Sequence, residues 1–332
     1  APSRGVERAT RQRPWPRTAH ELEMAKSIAK PKKKGSSAFN IIMTLIVMAG
    51  AAIISYPSIS DWWNQRHASQ AIATYQAQVE KIDNAERKAM IEEAKAFNAT
   101  LPLGANFTLD DEKMEEYYDT LDITGTGIMG YIEVPKIGVN LPIYHGIEDT
   151  ILQIAIGHIP GTSLPVGGET THAVVSGHRG LPSAMLFTDL DRMTEGDIFT
   201  VTVLDEMVTY QVDQIRIVLP EDTSNLAIES GRDYMTLVTC TPYGVNSHRM
   251  LVRGTRIDNL EAEKIYRIEA EANKVSTMKV MLAVTVPLIM IAGGISLWLE
   301  GYTVINRRSH SRILEDLESL ASDDAGGETD EK

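Results

Sequence analysis

The chain has one cysteine, Cys240, in 332 residues, so no internal disulfide can form. There is no Cys-x-x-Cys pair and no His-Glu-x-x-His run, so no spacing resembles a metal site. No glycine-rich loop follows a strand and opens a helix, so nucleotide binding has no support; Gly167-Gly168 reads as an ordinary turn. No cofactor is expected. Aromatics are few, which decides nothing. Charge is missing from two long stretches, residues 35–60 and 280–299. Acids are scarce at the start, where residues 1–38 hold ten Lys/Arg against three Asp/Glu. Bases are absent from 315–331, which hold eight acids.

The charge-free stretches are long enough to cross a bilayer as helices, which takes about 20 mostly apolar residues. The first centres on Ile41-Ile42-Met43-Thr44-Leu45-Ile46-Val47-Met48. A cleaved signal peptide is the alternative, but a basic region of 38 residues is long for one. The second contains Pro287, Gly293 and Gly294, which membrane helices tolerate. A buried core helix is its alternative. Lys/Arg flank the first stretch, and Arg307, Arg308 and Arg312 follow the second. By the positive-inside rule both termini are cytoplasmic and the segment between lies outside. The basic tail then reads as a topology and lipid-headgroup signal rather than a nucleic-acid patch.

Seven segments are expected along the chain. A basic cytoplasmic tail (1–38) leads to a transmembrane helix (39–57) and an extracytoplasmic helical segment (58–122). A β domain (123–258), a helical connector (259–278), a second transmembrane helix (279–299) and an acidic cytoplasmic tail (300–332) complete the chain. Ser60 is a candidate N-cap for a helix through 61–98, with Ile72, Tyr75, Val79 and Ile82 as its packing stripe. From about residue 124, short β-type runs alternate with Gly, Pro and Asn turns, which suggests a barrel or sandwich. One helical connection is expected near 183–188.

Outside the membrane an unpaired cysteine suggests a reactive thiol, although a buried inert one is the plain alternative. A thiol attacks as thiolate and needs a base or cation nearby. A histidine supplies either role and can return a proton to a leaving amine. A guanidinium can stabilise the oxyanion of a tetrahedral intermediate. Strand alternation puts Thr236, Val238 and Cys240 on one face, and Arg249, Leu251 and Arg253 on one face of the next run. His178, His172 and His248 compete for the base, and Arg249 and Arg253 for the cation.

Thr236-Leu237-Val238-Thr239-Cys240 resembles the TLxTC signature of sortases, the membrane-anchored cysteine transpeptidases of Gram-positive bacteria. The resemblance covers roughly 128–256, through Leu141-Pro142-Ile143-Tyr144-His145-Gly146, Ser176-Gly177-His178-Arg179-Gly180-Leu181-Pro182 and Thr239-Cys240-Thr241-Pro242-Tyr243-Gly244. It is most similar to class C, the pilus-assembling sortases. The resemblance implies a mainly β fold, the eight-stranded sortase β-barrel with an N-terminal helical segment, flanked by two transmembrane helices. It assigns Cys240 as nucleophile, His178 as acid/base and Arg249 as the holder of substrate and oxyanion. The loop 219–233 corresponds to the family's substrate-facing loop. The implied reaction cleaves an LPxTG-like sorting motif through a thioester and passes the acyl group to a lysine amine of a pilin subunit. The implied partners are pilin subunits bearing that motif and lysine, and membrane lipids. A housekeeping sortase that uses a peptidoglycan precursor, and a non-catalytic membrane scaffold, are the alternatives. One departure stands out. Residues 103–122 lack the Asp-Pro-aromatic lid motif common in class C, with only Phe107 and Tyr117-Tyr118 as aromatics. The stretch is expected either to cover the site or to be a plain linker.

Overall fold

A computed structural model describes residues 37–259 and, beyond them, only isolated positions between 286 and 315. The tails, the connector 259–278 and the second span 279–299 fall almost wholly outside the described residues. Within them, helix α1 (Ser37–Val79) is followed by α2 (Asn84–Thr100) and α3 (Asp111–Asp119). Then come β1 (Ile128–Val134), β2 (Val139–His145), the short α4 (Asp149–Leu152), β3 (Ile156–His158) and β4 (Thr171–Ser176). Strands β5 (Ile198–Val203), β6 (Glu206–Val218), β7 (Asp233–Thr241) and β8 (His248–Ile257) complete the series. The eight strands close into a barrel in the order β1-β2-β3-β4-β7-β8-β6-β5, the expected fold.

Two helical boundaries differ from expectation. Ser60 caps nothing: α1 runs through Pro57 and Ser60 without a break. The helix expected to continue to residue 98 stops at Val79. Asp83 then starts α2, its carboxylate accepting the Glu86 N–H at 2.9 Å. An Asp outside a helix satisfies an orphan N–H that an Asp inside it cannot, so the local cap wins over the longer pattern. The helix expected at 183–188 is also absent: those residues form turns, and a 3₁₀ turn follows at Leu190–Arg192. Strand β3, three residues long, is too short to show a period in sequence.

Alternation builds the barrel. Met235 and Leu237 of β7, Ala173 and Val175 of β4 and Val252 of β8 point inward and are buried with Ile132, Ile143, Phe199 and Val201. The chain divides near Ala52, and the part from Ile53 on holds the barrel with its packed helices. There Ile72, Tyr75 and Val79 of the expected stripe are buried, together with Ala68, whereas Ile82 lies past the helix end and is only half-buried. Nearer its start α1 is long and apolar enough to cross a membrane, and its Ile41, Leu45 and Ile46 are exposed.

Tyr75 joins this helix to the barrel. Its hydroxyl donates to the Met129 carbonyl at 3.0 Å and accepts the Leu204 N–H at 2.8 Å, all buried. Tyr75→Phe leaves both backbone groups unsatisfied, at about 1–3 kcal/mol. Its thermal melt, followed by near-UV circular dichroism of the detergent-solubilised chain, is expected roughly 2–10 °C below the parent.

Candidate active site

Three neighbouring strands converge at one end of the barrel. β7 pairs with β8 antiparallel, and Cys240 stands directly opposite Arg249. β4 pairs with β7 in parallel, with Ser176 beside Val238. The pairing persists past the end of β4. The Gly177 N–H donates to the Val238 carbonyl at 3.1 Å, and the Thr239 hydroxyl donates to the Gly177 carbonyl at 2.8 Å. Continuing that register by one residue sets His178 beside Cys240. The three expected residues thus line up in a row at one barrel end, Cys240 and Arg249 as a strand pair and His178 two residues past the end of β4. No hydrogen bond joins thiol and imidazole, and Cys240 is half-buried.

Gly177 makes the row possible. A Cβ there would lie 2.6 Å from Ile156 Cδ1 and 2.8 Å from the Phe187 ring. Only a bare Cα lets the chain leave β4 along the barrel wall.

The rival residues are separated from the row by geometry. His172 shares the outer face but pairs with Tyr234, six residues before Cys240 and hence about 20 Å away along the strand. Its Nδ1 meets the Ala227 carbonyl at 2.8 Å and its Nε2 the Thr236 hydroxyl at 2.7 Å. His248 pairs with Thr241, so alternation turns it to the opposite face from Cys240. Arg253 is held by two hydrogen bonds to Asp213, at 3.1 and 2.9 Å, and lies 4.1 Å over the Tyr234 ring. Arg249 has no carboxylate partner among the described residues. Its guanidinium reaches only the Asn246 and His248 carbonyls, each at 3.2 Å, and stays available for a ligand.

Behind the row the outer face is apolar. Val174, Val238 and Leu251 form a buried patch with Leu226 of the 219–233 loop, and Phe107, Ile159 and Val218 pack on it. Gly104 and Ile228 exchange two backbone hydrogen bonds of 3.0 Å, tying the 101–110 segment to that loop. The stretch before α3 is therefore docked on the barrel and is no plain linker, although it lacks the Asp-Pro-aromatic motif. Another concavity, of about 620 Å³, opens at the opposite barrel end beside Asp233 and Arg256, and none of the three residues lines it.

Sequence reasoning missed Arg179. Its guanidinium donates to the Thr241 hydroxyl at 3.2 Å, pairs with Asp191 and sits 6.0 Å from the Tyr243 ring centre. It connects the residue after His178 to the residue after Cys240. Its position next to a candidate histidine was the only signal in the sequence. In Arg179→Ala the exposed side of Asp191 keeps its hydration, so the fold survives. Steady-state kinetics are expected to show kcat lower by roughly 10–100-fold, with the thermal melt little changed.

Burial lowers the pKa of His172 to about 4, against the pull of the Ala227 carbonyl. Between pH 6.5 and about 4 the unfolded chain takes up a proton there that the folded chain refuses. Stability from this group is therefore complete above pH 6.5 and is lost as pH falls through that window, at up to about 1.4 kcal/mol per pH unit. Urea midpoints measured across the window are expected to fall less steeply for His172→Gln than for the parent.

Residues 132–257 match the Sortase domain family. Sortase C1 of Streptococcus agalactiae is 50% identical, with a TM-score of 0.56, over 57% of this chain and 99% of that one. Sortase C of Streptococcus pneumoniae is 46% identical, with a TM-score of 0.52, over 57% of this chain and 97% of that one. Among curated proteins, Sortase A of Streptococcus agalactiae serotype III (strain NEM316) is 32% identical over 117 residues, 34% of this chain and 47% of that protein. The chain thus spans about half the length of that curated relative. At half identity over nearly the whole of a solved sortase, on the same closed barrel, this chain belongs to the sortase family.

Proposed function

We propose that this chain is a membrane-anchored, pilin-polymerising cysteine transpeptidase of class C. The reading rests on one observation, the row His178–Cys240–Arg249 with no carboxylate partner for Arg249 among the described residues. The described structure of a Streptococcus pneumoniae Sortase C in terms of pilin substrate specificity supports the pilus class.

In this reading the Cys240 thiolate attacks the carbonyl carbon of the Thr–Gly bond in an LPxTG-like motif. The carbonyl oxygen becomes an oxyanion, and the Arg249 guanidinium stabilises it. Collapse breaks the C–N bond, and the His178 imidazolium gives its proton to the departing amine. The product is a thioester on Cys240. A pilin lysine amine then attacks that carbonyl, His178 takes its proton, and the thiolate leaves as an isopeptide bond forms. Helix α1 serves as the membrane anchor, with the barrel on the outer side and both termini cytoplasmic.

The test is incubation of the purified chain with a sorting-motif peptide, read by mass spectrometry of Cys240. An acyl adduct released by hydroxylamine is expected, and Cys240→Ala is expected to form none. Cleavage that persists in Cys240→Ala would overturn the reading. Arg249→Ala is expected to lower kcat/KM by roughly 10²–10³-fold. Arg249→Lys should recover only part of it, because an ammonium lacks the planar fork.

A further inference from the structure

The buried stripe of α1 continues toward its apolar end in polar form. One and two turns before Ala68 lie Asn64 and Asp61. The Asn64 amide donates to the Ser183 carbonyl at 2.7 Å, and the Asp61 carboxylate accepts the Met185 N–H at 2.8 Å. Both partners belong to the turn segment that leaves His178, and its Phe187 N–H returns to the His178 carbonyl at 3.2 Å. A single helical turn therefore sets the height of the 181–187 segment along α1.

On the other faces of the same turns, beside the exposed Gln65, Arg66 and His67, large apolar side chains are uncovered. Tyr56, Ile59, Trp62 and Trp63 are exposed, Trp63 by 56%. In the segment they neighbour, Met185 is 42% exposed and Pro182 is exposed too. Tyr and Trp concentrated just past an apolar helical stretch are what the membrane–water interface favours, because the ring is apolar and its N–H or O–H is polar. In water alone the same surface would be an aggregation liability.

The dimensions agree. With the hydrocarbon part of α1 ending near residue 57, the helical rise puts the Cα of Asp61 about 6 Å farther out and that of Trp63 about 9 Å, and helical side chains lean back toward the N-terminus, here toward the bilayer. The headgroup layer is about 5–8 Å deep on each side. A tilt of about 20° shifts a segment lying about 10 Å to the side by only about 3 Å.

We propose that the 181–187 segment, hung on Asp61 and Asn64, rests at the headgroup level of the bilayer, with Met185 and Trp63 in contact with lipid. This goes beyond the transpeptidase reading but rests on its claim that α1 spans the membrane. The loop that leaves His178 is then the membrane-proximal edge of the barrel, and the partner this surface fits is the lipid interface.

The test uses the full chain carrying Cys240→Ser, reconstituted in phosphatidylcholine–phosphatidylglycerol vesicles. Single cysteines bearing a nitroxide are introduced as Met185→Cys and, separately, Pro182→Cys. Ile46→Cys is the hydrocarbon reference. Met207→Cys, exposed at the opposite barrel end, is the water reference. Collision with a water-soluble nickel chelate is expected to be about threefold or more lower at 185 and 182 than at 207. Adding Asp61→Ala and Asn64→Ala is expected to raise it at 185 toward the value at 207. Accessibility at both 185 and 182 equal to that at 207, with 46 shielded, would overturn the proposal and leave the spanning reading intact. A water-accessible label at 46 would overturn both. Unchanged shielding at 185 in the Asp61/Asn64 variant would overturn the tether.

Discussion

The register between β4, β7 and β8 is the constraint on which the rest depends. Side chains alternate along a strand, so a slip of one residue would turn Cys240 into the barrel and Thr239 out of it. Two things hold the register. The inward set of Met235, Leu237, Val175 and Val252 has no other place to be buried. Beyond the end of β4, Gly177 keeps the pairing alive for one more residue through its bonds to Val238 and Thr239. The barrel's hydrophobic packing is thus the device that sets three polar side chains in a row.

Polar chemistry around the barrel divides into groups that are occupied and groups that are not. His172, His158 and His145 are buried, and each of their ring nitrogens has a partner. Burial pushes His158 down to about 3, so it is neutral at physiological pH. Arg253 is locked between Asp213 and Tyr234. Among the described residues the His178 ring has no hydrogen-bond partner and Arg249 reaches only two backbone carbonyls, and that difference separates them from their rivals more clearly than position in the chain does. Side chains left this free beside a half-buried thiol suit a ligand that arrives from solution.

Much of this was legible in the residues. The alternation in 235–240 and 249–253 gave the correct faces, because period-two patterning reports burial directly. The choice of His178 over His172 and His248 was not legible from spacing, since pairing partners lie about 60 residues apart in sequence and no local pattern encodes them. It came from the resemblance of the Ser176-Gly177-His178-Arg179-Gly180 stretch. The break at Asp83 was missed because the alternating charges of α1 and α2 continue across it. The turns at 183–188 are not legible locally, because Asn64 and Asp61, over a hundred residues upstream, hold their backbone.

The closed barrel has a consequence for how an extended peptide can be read. Strand β7 lies between β4 and β8, so it offers no row of unpaired N–H and C=O groups along a sheet edge. Recognition by adding a strand beside β7, a common route for binding extended chains, is denied. A peptide lying along β7 meets side chains and the backbone of loops only. Selectivity must then reside in the few residues that line its path, because backbone pairing beside β7, which any extended segment could supply, is closed.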